Sequence, residues 1–268
     1  MANQRVAFIT GASSGIGAAA ACAFAGAGWD VVFSARRKNR LDELKDKLQT
    51  KFPDVALHPI VCDVNSDASV EAAIAFVKEK YGKLDALINN AGYGIYGSVE
   101  GTTLESVKGN FETNVFGMLR CTKAALPLLR TAKQKSSRKW GASIVNVSSF
   151  VGRRAIPNLS SYSATKFAME AFSESLRVEL WDERIAVSVV NPGATSTEFF
   201  DAAEGTRPEG FSKPRMTAET VAQYILKATR KPIRNIYLTT EGKMGLFLQW
   251  LAPTAMDQVM LRQVWRKK

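Results

Sequence analysis

Only one histidine, His58, occurs in the whole chain. A metal site built from several imidazoles is excluded, and catalysis resting on histidine is not expected. His58 precedes Pro59 at the edge of an apolar run and reads as a structural residue. Cysteine is scarce as well. Cys22, Cys62 and Cys121 lie far apart with no Cys-x-x-Cys pair, which argues against a disulfide framework and a zinc site and suits a reducing cytoplasm. No bound metal is expected. No segment is apolar enough over enough residues to span a bilayer. The first residues, MANQRVAFITG, lack the basic start and long apolar stretch of a signal peptide, so no export is expected. Carboxylates are outnumbered: 25 Asp and Glu face 36 Lys and Arg, for a net charge of +11. Such a surface attracts anions, phosphorylated ligands among them. No RNA-recognition, zinc-finger or helix-turn-helix signature accompanies it, so nucleic acid is not an expected partner.

What is present is a regular alternation of strand and helix. The 268 residues, 46% of them hydrophobic, suit one large α/β domain. Apolar runs at Val6–Thr10, Asp30–Ser34, Ala56–Val61, Leu84–Asn89, Ser143–Val147, Ile185–Val190 and Ile236–Thr239 read as strands. Helices are expected between them: Ile16–Ala27, Arg40–Phe52 with Asn39 as N-cap, and Ala68–Tyr81 capped from Ser66 or Asp67. Thr102 with Glu105 predicts a capping box opening a long helix through Val107, Phe111, Val115 and Leu119. Thr131–Gly141 predicts an exposed basic loop, Tyr162 to Leu180 a helix, and Thr217 the cap of another. Repeated strand–helix units imply right-handed crossovers and a parallel, doubly wound sheet of about seven strands with helices on both faces. Residues 1–240 read as this single domain, with a lid near 195–216, rich in Gly and Pro at its distal end. Residues 241–268 read as a C-terminal extension packed on the domain or on a subunit interface.

Chemistry concentrates in Ser149 to Lys166. Tyr162 and Lys166 are an i, i+4 pair and share one helix face. A free phenol titrates near pH 10. A neighbouring ammonium favours the phenolate, so Lys166 is expected to lower the Tyr162 pKa and make it a general acid for a carbonyl oxygen or a base for an alcohol. Ser149, at the carboxyl end of a strand, could donate a second hydrogen bond to the same oxygen. Ser148 is the rival hydroxyl, and strand alternation points it to the other side.

A second cluster follows the first strand. In Thr10-Gly-Ala-Ser-Ser-Gly-Ile-Gly17, the glycines Gly11, Gly15 and Gly17 permit a tight turn and close approach, with Ser13, Ser14 and Ile16 between them. A pyrophosphate suits the helix N-terminus that follows. At the end of the second strand the chain reads Ser34-Ala35-Arg36-Arg37-Lys38, where an NAD site usually has a carboxylate. Arg36 is expected to grip a 2′-phosphate, with Arg37 or Lys38 adding charge from the rim. NADP(H) is therefore expected in preference to NAD(H).

Together these residues make the chain resemble the short-chain dehydrogenase/reductase family over roughly its first 240 residues. The motifs are TGASSGIG, Cys62-Asp63-Val64, Asn89-Asn90-Ala91-Gly92, Asn114, Ser149, Tyr162-Ser-Ala-Thr-Lys166 and Asn191-Pro192-Gly193. The resemblance implies a Rossmann-type fold and a hydride-transferring oxidoreductase acting on a carbonyl or alcohol. It implies that Tyr162 exchanges the proton, Lys166 also holds the nicotinamide ribose, and Ser149 orients the carbonyl. Asn114 would help relay protons to solvent. Asp63 and Val64 would contact adenine, Asn90, Ala91 and Gly92 would line the cofactor cleft, and Pro192, Gly193 and Thr195 would sit at the nicotinamide end. By analogy it implies a homodimer or homotetramer. Alternatives are dehydration or epimerisation on the same scaffold, or a non-catalytic NADP(H)-binding sensor or scaffold, though the Ser–Tyr–Lys set is complete.

The substrate end says less. Tyr93, Ile95, Tyr96, Phe150, Phe199, Phe200 and Phe211 fall on loops after strands and suggest an apolar pocket for a small carbonyl or alcohol substrate. Arg153 and Arg154 read as a solvated surface pair. In the extension, Met244 to Leu251 is apolar and Arg262 to Lys268 basic, a pattern of peripheral membrane contact. The run is short for stable anchoring, so packing on the domain or an interface is the expected role.

Overall fold

The computed structural model describes residues 4–134, 136, 139–199, 203–205 and 216–265. Its centre is a seven-stranded parallel sheet in the order β3-β2-β1-β4-β5-β6-β9. The strands are β1 (Val6–Thr10), β2 (Asp30–Ala35), β3 (Leu57–Val61), β4 (Ala86–Asn89), β5 (Ala142–Val147), β6 (Ile185–Asn191) and β9 (Asn235–Tyr237). A separate two-stranded pair joins β7 (Thr195–Ser196) to β8 (Met216–Thr217). Strand alternation divides the core in two. Ala7, Ile9, Val31, Phe33, Ala86 and Ile88 pack on one face against α1 (Gly15–Gly26), α2 (Lys38–Lys51) and α7 (Ala218–Arg230). Val6, Phe8, Val32, Leu87 and Ile144 pack on the other against α3 (Asp67–Tyr81) and α5 (Gly117–Gln134). Both faces are covered, which is why the strands read as continuous apolar runs.

Small local signals set the helix ends. Ser66 accepts from Ser69 N at 3.3 Å to open α3, and Gly82, in the left-handed region at φ 62°, closes it. Thr217 opens α7 by accepting from Thr220 N at 3.2 Å. Four expectations shift. The cap of α4 (Leu104–Phe111) is Thr103, bonded to Ser106 N at 3.1 Å, while the Thr102 hydroxyl turns back to the Ser98 carbonyl at 2.8 Å. Helix α2 begins at Lys38 rather than Arg40, with Arg37 at its N-cap position and no side-chain cap. Helix α5 runs on to Gln134, into the stretch expected to be loop. The expected single long helix is also interrupted, by a π-helical turn at Glu112–Phe116 between α4 and α5.

Chain order reverses between β1 and β4, whose carboxyl ends open a crevice. In open α/β sheets ligands bind at that point. The glycine loop follows β1, Asn90 to Gly92 follow β4, and the segment leading to α6 (Ser160–Glu179) follows β5. Helices α8 (Thr240–Leu251) and α9 (Pro253–Met260) lie beyond β9.

Candidate active site

Glycines let the loop from β1 to α1 turn tightly and pack against the segment after β4. Gly11 has φ 68° and Gly15 φ 55°. A methyl at Gly11 would meet Ala91 Cα at 2.7 Å, and one at Gly17 would meet the Gly11 carbonyl at 2.3 Å. Asn90 braces this approach: its amide donates to the Thr10 and Gly11 carbonyls at 3.0 and 3.1 Å. The side chain expected to line the cleft is thus a strut joining its two lips. Ser14, extended at the N-cap, makes no side-chain cap, and α1 has no acidic residue in its first turn. The first-turn N–H groups beside Ile16 and Gly17 therefore remain suited to an anion.

Beside them stands Arg37, not Arg36. Its guanidinium donates to Ser13 Oγ at 2.9 Å, to Ser14 Oγ at 3.1 Å, and to the Glu198 carboxylate at 3.3 Å. Arg40 reaches the same carboxylate at 3.9 Å. Arg36 is exposed and influences Tyr93, whose pKa it lowers against burial and Glu204. Lys38 pairs with Asp42 at 2.5 Å. The cationic group nearest the glycine loop is therefore the one expected at the rim, because the N-cap position of α2 turns Arg37 back towards Ser13 and Ser14. Asp63 Oδ1 accepts from Asn65 N at 3.0 Å, and Val64 packs against Gly117. Arg120 also donates to the Val64 carbonyl at 3.4 Å.

The catalytic candidates converge across β5, the π-turn and α6. Ser149 sits at the cleft, its hydroxyl accepting from Val151 N at 3.3 Å and facing the Tyr162 phenol. Ser148 is buried and its hydroxyl faces Glu170, two turns beyond Tyr162 on α6, and not the Tyr162 phenol. Gly152 allows α6 to approach, since a methyl there would lie 3.0 Å from the Lys166 carbonyl oxygen. Tyr162 and Lys166 are both buried, and the Lys166 ammonium lies 5.6 Å from the Tyr162 ring centroid. Lys166 Nζ donates to the Val147 carbonyl at 2.9 Å and contacts Met169 Sδ at 3.3 Å. Asn114, fully buried in the π-turn, uses its amide to clamp Tyr93 N and O at 3.0 Å each and Thr165 Oγ1 at 3.0 Å.

The electrostatics correct one expectation. Burial pushes the Tyr162 phenol above its ordinary pKa, and the Ser149 hydrogen bond pulls it back only in part. Lys166 is itself pushed down to about 7 by burial, with Glu170 raising it. A lysine that stands at the ring face, and is itself desolvated, does not overcome that burial.

Around Tyr162 lies an apolar wall of Tyr96, Val151, Leu159, Ile156, Phe199 and Ala203. Phe199 packs against Tyr162 with the rings tilted by 53°, 5.4 Å between centroids. Tyr96 N bonds the Glu204 carbonyl at 2.7 Å, tying the segment after β7 to the loop after β4. Val151, Ile156, Leu159 and Ala203 were not singled out from sequence. Their signal was their place just after β5 or in the lid, which small aliphatic side chains do not advertise. Phe200 and Phe211 lie outside the described residues, as does most of the expected lid. Pro192 accepts from Phe150 N at 3.0 Å, and Thr195 bonds the Gly193 carbonyl at 3.0 Å, so both belong to the turn after β6. Neither Arg153 nor Arg154 is a solvated pair member. Arg153 bonds Glu170 and Glu174, and Arg154 bonds Asp257 at 2.8 Å, because α6 and α9 bring carboxylates to them. His58 packs edge-on against Phe76 and Tyr81, ring centroids 5.2 and 5.9 Å away.

A Gly-lined loop at a helix N-terminus, a crevice at the strand-order reversal and a Ser–Tyr–Lys set define a nucleotide-dependent oxidoreductase. The family model described as short chain dehydrogenase matches residues 5–207, and the chain belongs to the short-chain dehydrogenase/reductase family. It is 34% identical to the dehydrogenase/reductase SDR family protein 7-like of Anopheles gambiae, over 97% of this chain and 83% of that one. It is 38% identical to the sulfoacetaldehyde reductase of Chromohalobacter salexigens, over 72% and 73%. A short-chain dehydrogenase from Sphingobium yanoikuyae solved in complex with NADPH superposes with a TM-score of 0.75 at 28% identity, covering 97% of this chain and 96% of that one.

Proposed function

We propose that the chain is an NADP(H)-dependent reductase or dehydrogenase for an apolar carbonyl or alcohol. The carrying observation is Ser149 facing the Tyr162 phenol, with the Lys166 ammonium over the ring and an apolar wall around it. Gly11 and Gly17 let the loop close tightly on Asn90 and Ala91 in front of the uncapped start of α1, and Arg37 already holds a carboxylate beside it, so the residues fit a phosphorylated dinucleotide. When bound, such a cofactor supplies or accepts the hydride. The protein supplies the proton. Tyr162 gives its phenolic hydrogen to the substrate oxygen in reduction and takes it back in oxidation. Ser149 donates a hydrogen bond to the same oxygen. Lys166 steadies the phenolate, and Asn114 fixes the Tyr93 loop of the cleft and the Thr165 turn of α6.

The preference for the 2′-phosphorylated cofactor rests on Arg36, Arg37 and Arg40 at the end of β2 and start of α2, with no carboxylate before Asp42. Two charge-assisted hydrogen bonds at about 1.5–3 kcal/mol each support a preference on the order of a hundredfold. Screening aldehydes, ketones, steroids and acyl thioesters with NADPH and NADH tests the reading. Expected is turnover with NADPH and an apolar carbonyl, and equal kcat/KM for the two cofactors would overturn the cofactor choice. A homodimer or homotetramer in the cytoplasm belongs to the same reading. Outward apolar side chains on the α5–α6 side, Phe116, Phe167 and Phe172, support it, and light scattering checks it. No helix among the described residues is long and apolar enough to cross a membrane.

A further inference from the structure

A buried ionic cluster lies one turn beyond the reacting groups. Glu170 follows Lys166 by four residues on α6, so both project from one helix face. Both are buried, at 2% and 4% exposure, and so are Asn191 and Ser148, at 2% and 4%. Arg153, from the turn after β5, donates to Glu170 at 2.9 Å and also to Glu174. Ser148 Oγ, Glu170 Oε1 and both Asn191 amide atoms lie against one another without a fully formed hydrogen bond. Charges so placed are costly unless paired, and taking away one partner leaves the other stranded. Among the described residues, Lys166 has as hydrogen-bond partners only the neutral Val147 carbonyl and Met169 sulfur.

We propose that Glu170, held in place by Arg153, is the buried counter-charge of Lys166 and acts as a positioning residue for the Tyr162–Lys166 pair. Around Lys166 stand Tyr162 and Glu170 from its own helix and Asn114 from the π-turn, and the only anion among them is Glu170. Around Glu170 stand Arg153, Ser148 from β5, Asn191 from β6, Tyr237 from β9, and Arg177 further along α6. Arg234 sits against Arg177 and Glu174. Burial pushes the Glu170 carboxyl up, and Arg153 is the strongest influence pulling it back to the charged form. Burial pushes Lys166 down to about 7 and Glu170 raises it. The cluster therefore works in one direction. Arg153 keeps Glu170 ionised, Glu170 keeps Lys166 protonated, and protonated Lys166 favours the Tyr162 phenolate.

The inference rests on the proposed function for its catalytic meaning, and its test does not need turnover. Lysine carrying 13C at Cε is incorporated, the Lys166 signal is assigned by its loss in Lys166→Arg, and its pH titration is followed. In Glu170→Gln the midpoint is expected to fall by about one unit or more, the usual effect of losing a close opposite charge. Glu170→Asp should restore part of it. Arg153→Gln should move it the same way, and serves if the glutamine variant does not fold. An unmoved or raised midpoint overturns the proposal. In turnover, the sign follows. Lys166 would lose its proton at a lower pH, so activity of Glu170→Gln relative to the parent should fall as pH rises from about 6 to about 8, through kcat more than KM. Parallel pH profiles would also overturn it, whereas a parent protein with no nicotinamide-linked turnover would overturn the functional reading alone.

Discussion

At the scale of single residues, two side chains carry separable consequences. Tyr162→Phe keeps the ring that packs against Phe199 and Tyr96 but deletes the proton. General acid–base groups contribute about 10²–10⁴-fold, so kcat should fall by that order while cofactor affinity stays near that of the parent, read by turnover and by fluorescence titration. Retention of near-parent kcat would remove Tyr162 from the mechanism. Arg37 is the other. Its guanidinium serves Ser13, Ser14 and Glu198 at once, and the Glu198 carboxylate lies where the 2′-phosphate is proposed to bind. The two must compete for the same donors. Both side chains are about half exposed, 48% and 47%, so the Glu198 pair is worth at most about 1 kcal/mol. Glu198→Gln should then tighten NADPH binding only by about fivefold or less and leave NADH alone, while Arg37→Ala should weaken NADPH far more than NADH. Equal losses for both cofactors in Arg37→Ala would place the phosphate elsewhere.

At the scale of elements, the glycine loop was legible because its requirements are steric. Gly17 cannot become alanine without driving a methyl to 2.3 Å from the Gly11 carbonyl and 2.6 Å from Asn90 Nδ2. Gly17→Ala should therefore abolish measurable NADPH binding by calorimetry, with the far-ultraviolet circular dichroism of the sheet retained. Binding at the parent affinity would show that α1 can recede. The strand order and the sharing of core between two faces were likewise written in the apolar runs of β1, β2 and β5, which neighbouring strands and helices simply bury. What sequence could not show was set by contacts distant along the chain. The turn of Arg37 back to Ser13 and Ser14 goes with α2 starting at Lys38 and not at Arg40, a boundary marked by no side-chain cap. The roles of Arg153 and Arg154 depended on Glu170, Glu174 and Asp257, each brought near by the path of α6 or α9. The π-turn at Asn114 has no periodicity signal over five residues. The raised Tyr162 pKa reflects burial, and spacing along a helix says nothing about how much water remains around a phenol.

At the scale of the whole molecule, the relevant quantity is the net charge of +11. A field of that sign raises the local concentration of an anionic ligand and speeds its arrival, and salt removes both effects. The arginines at the crevice mouth are exposed, so their contribution is of the screened kind. Between about 0.01 M and 1 M ionic strength the Debye length falls from roughly 30 Å to 3 Å. A cofactor bearing the extra 2′-phosphate carries more negative charge than one without it and should lose more over that range. The KM for NADPH should rise severalfold, that for NADH should rise less, and kcat should hold, because Tyr162 and Lys166 are buried and poorly screened. The NADPH-to-NADH selectivity should therefore shrink as salt is added, and Arg37→Ala should flatten that dependence. Selectivity that stays constant across the salt series would mean that cofactor choice rests on shape at the end of β2 and not on the basic field.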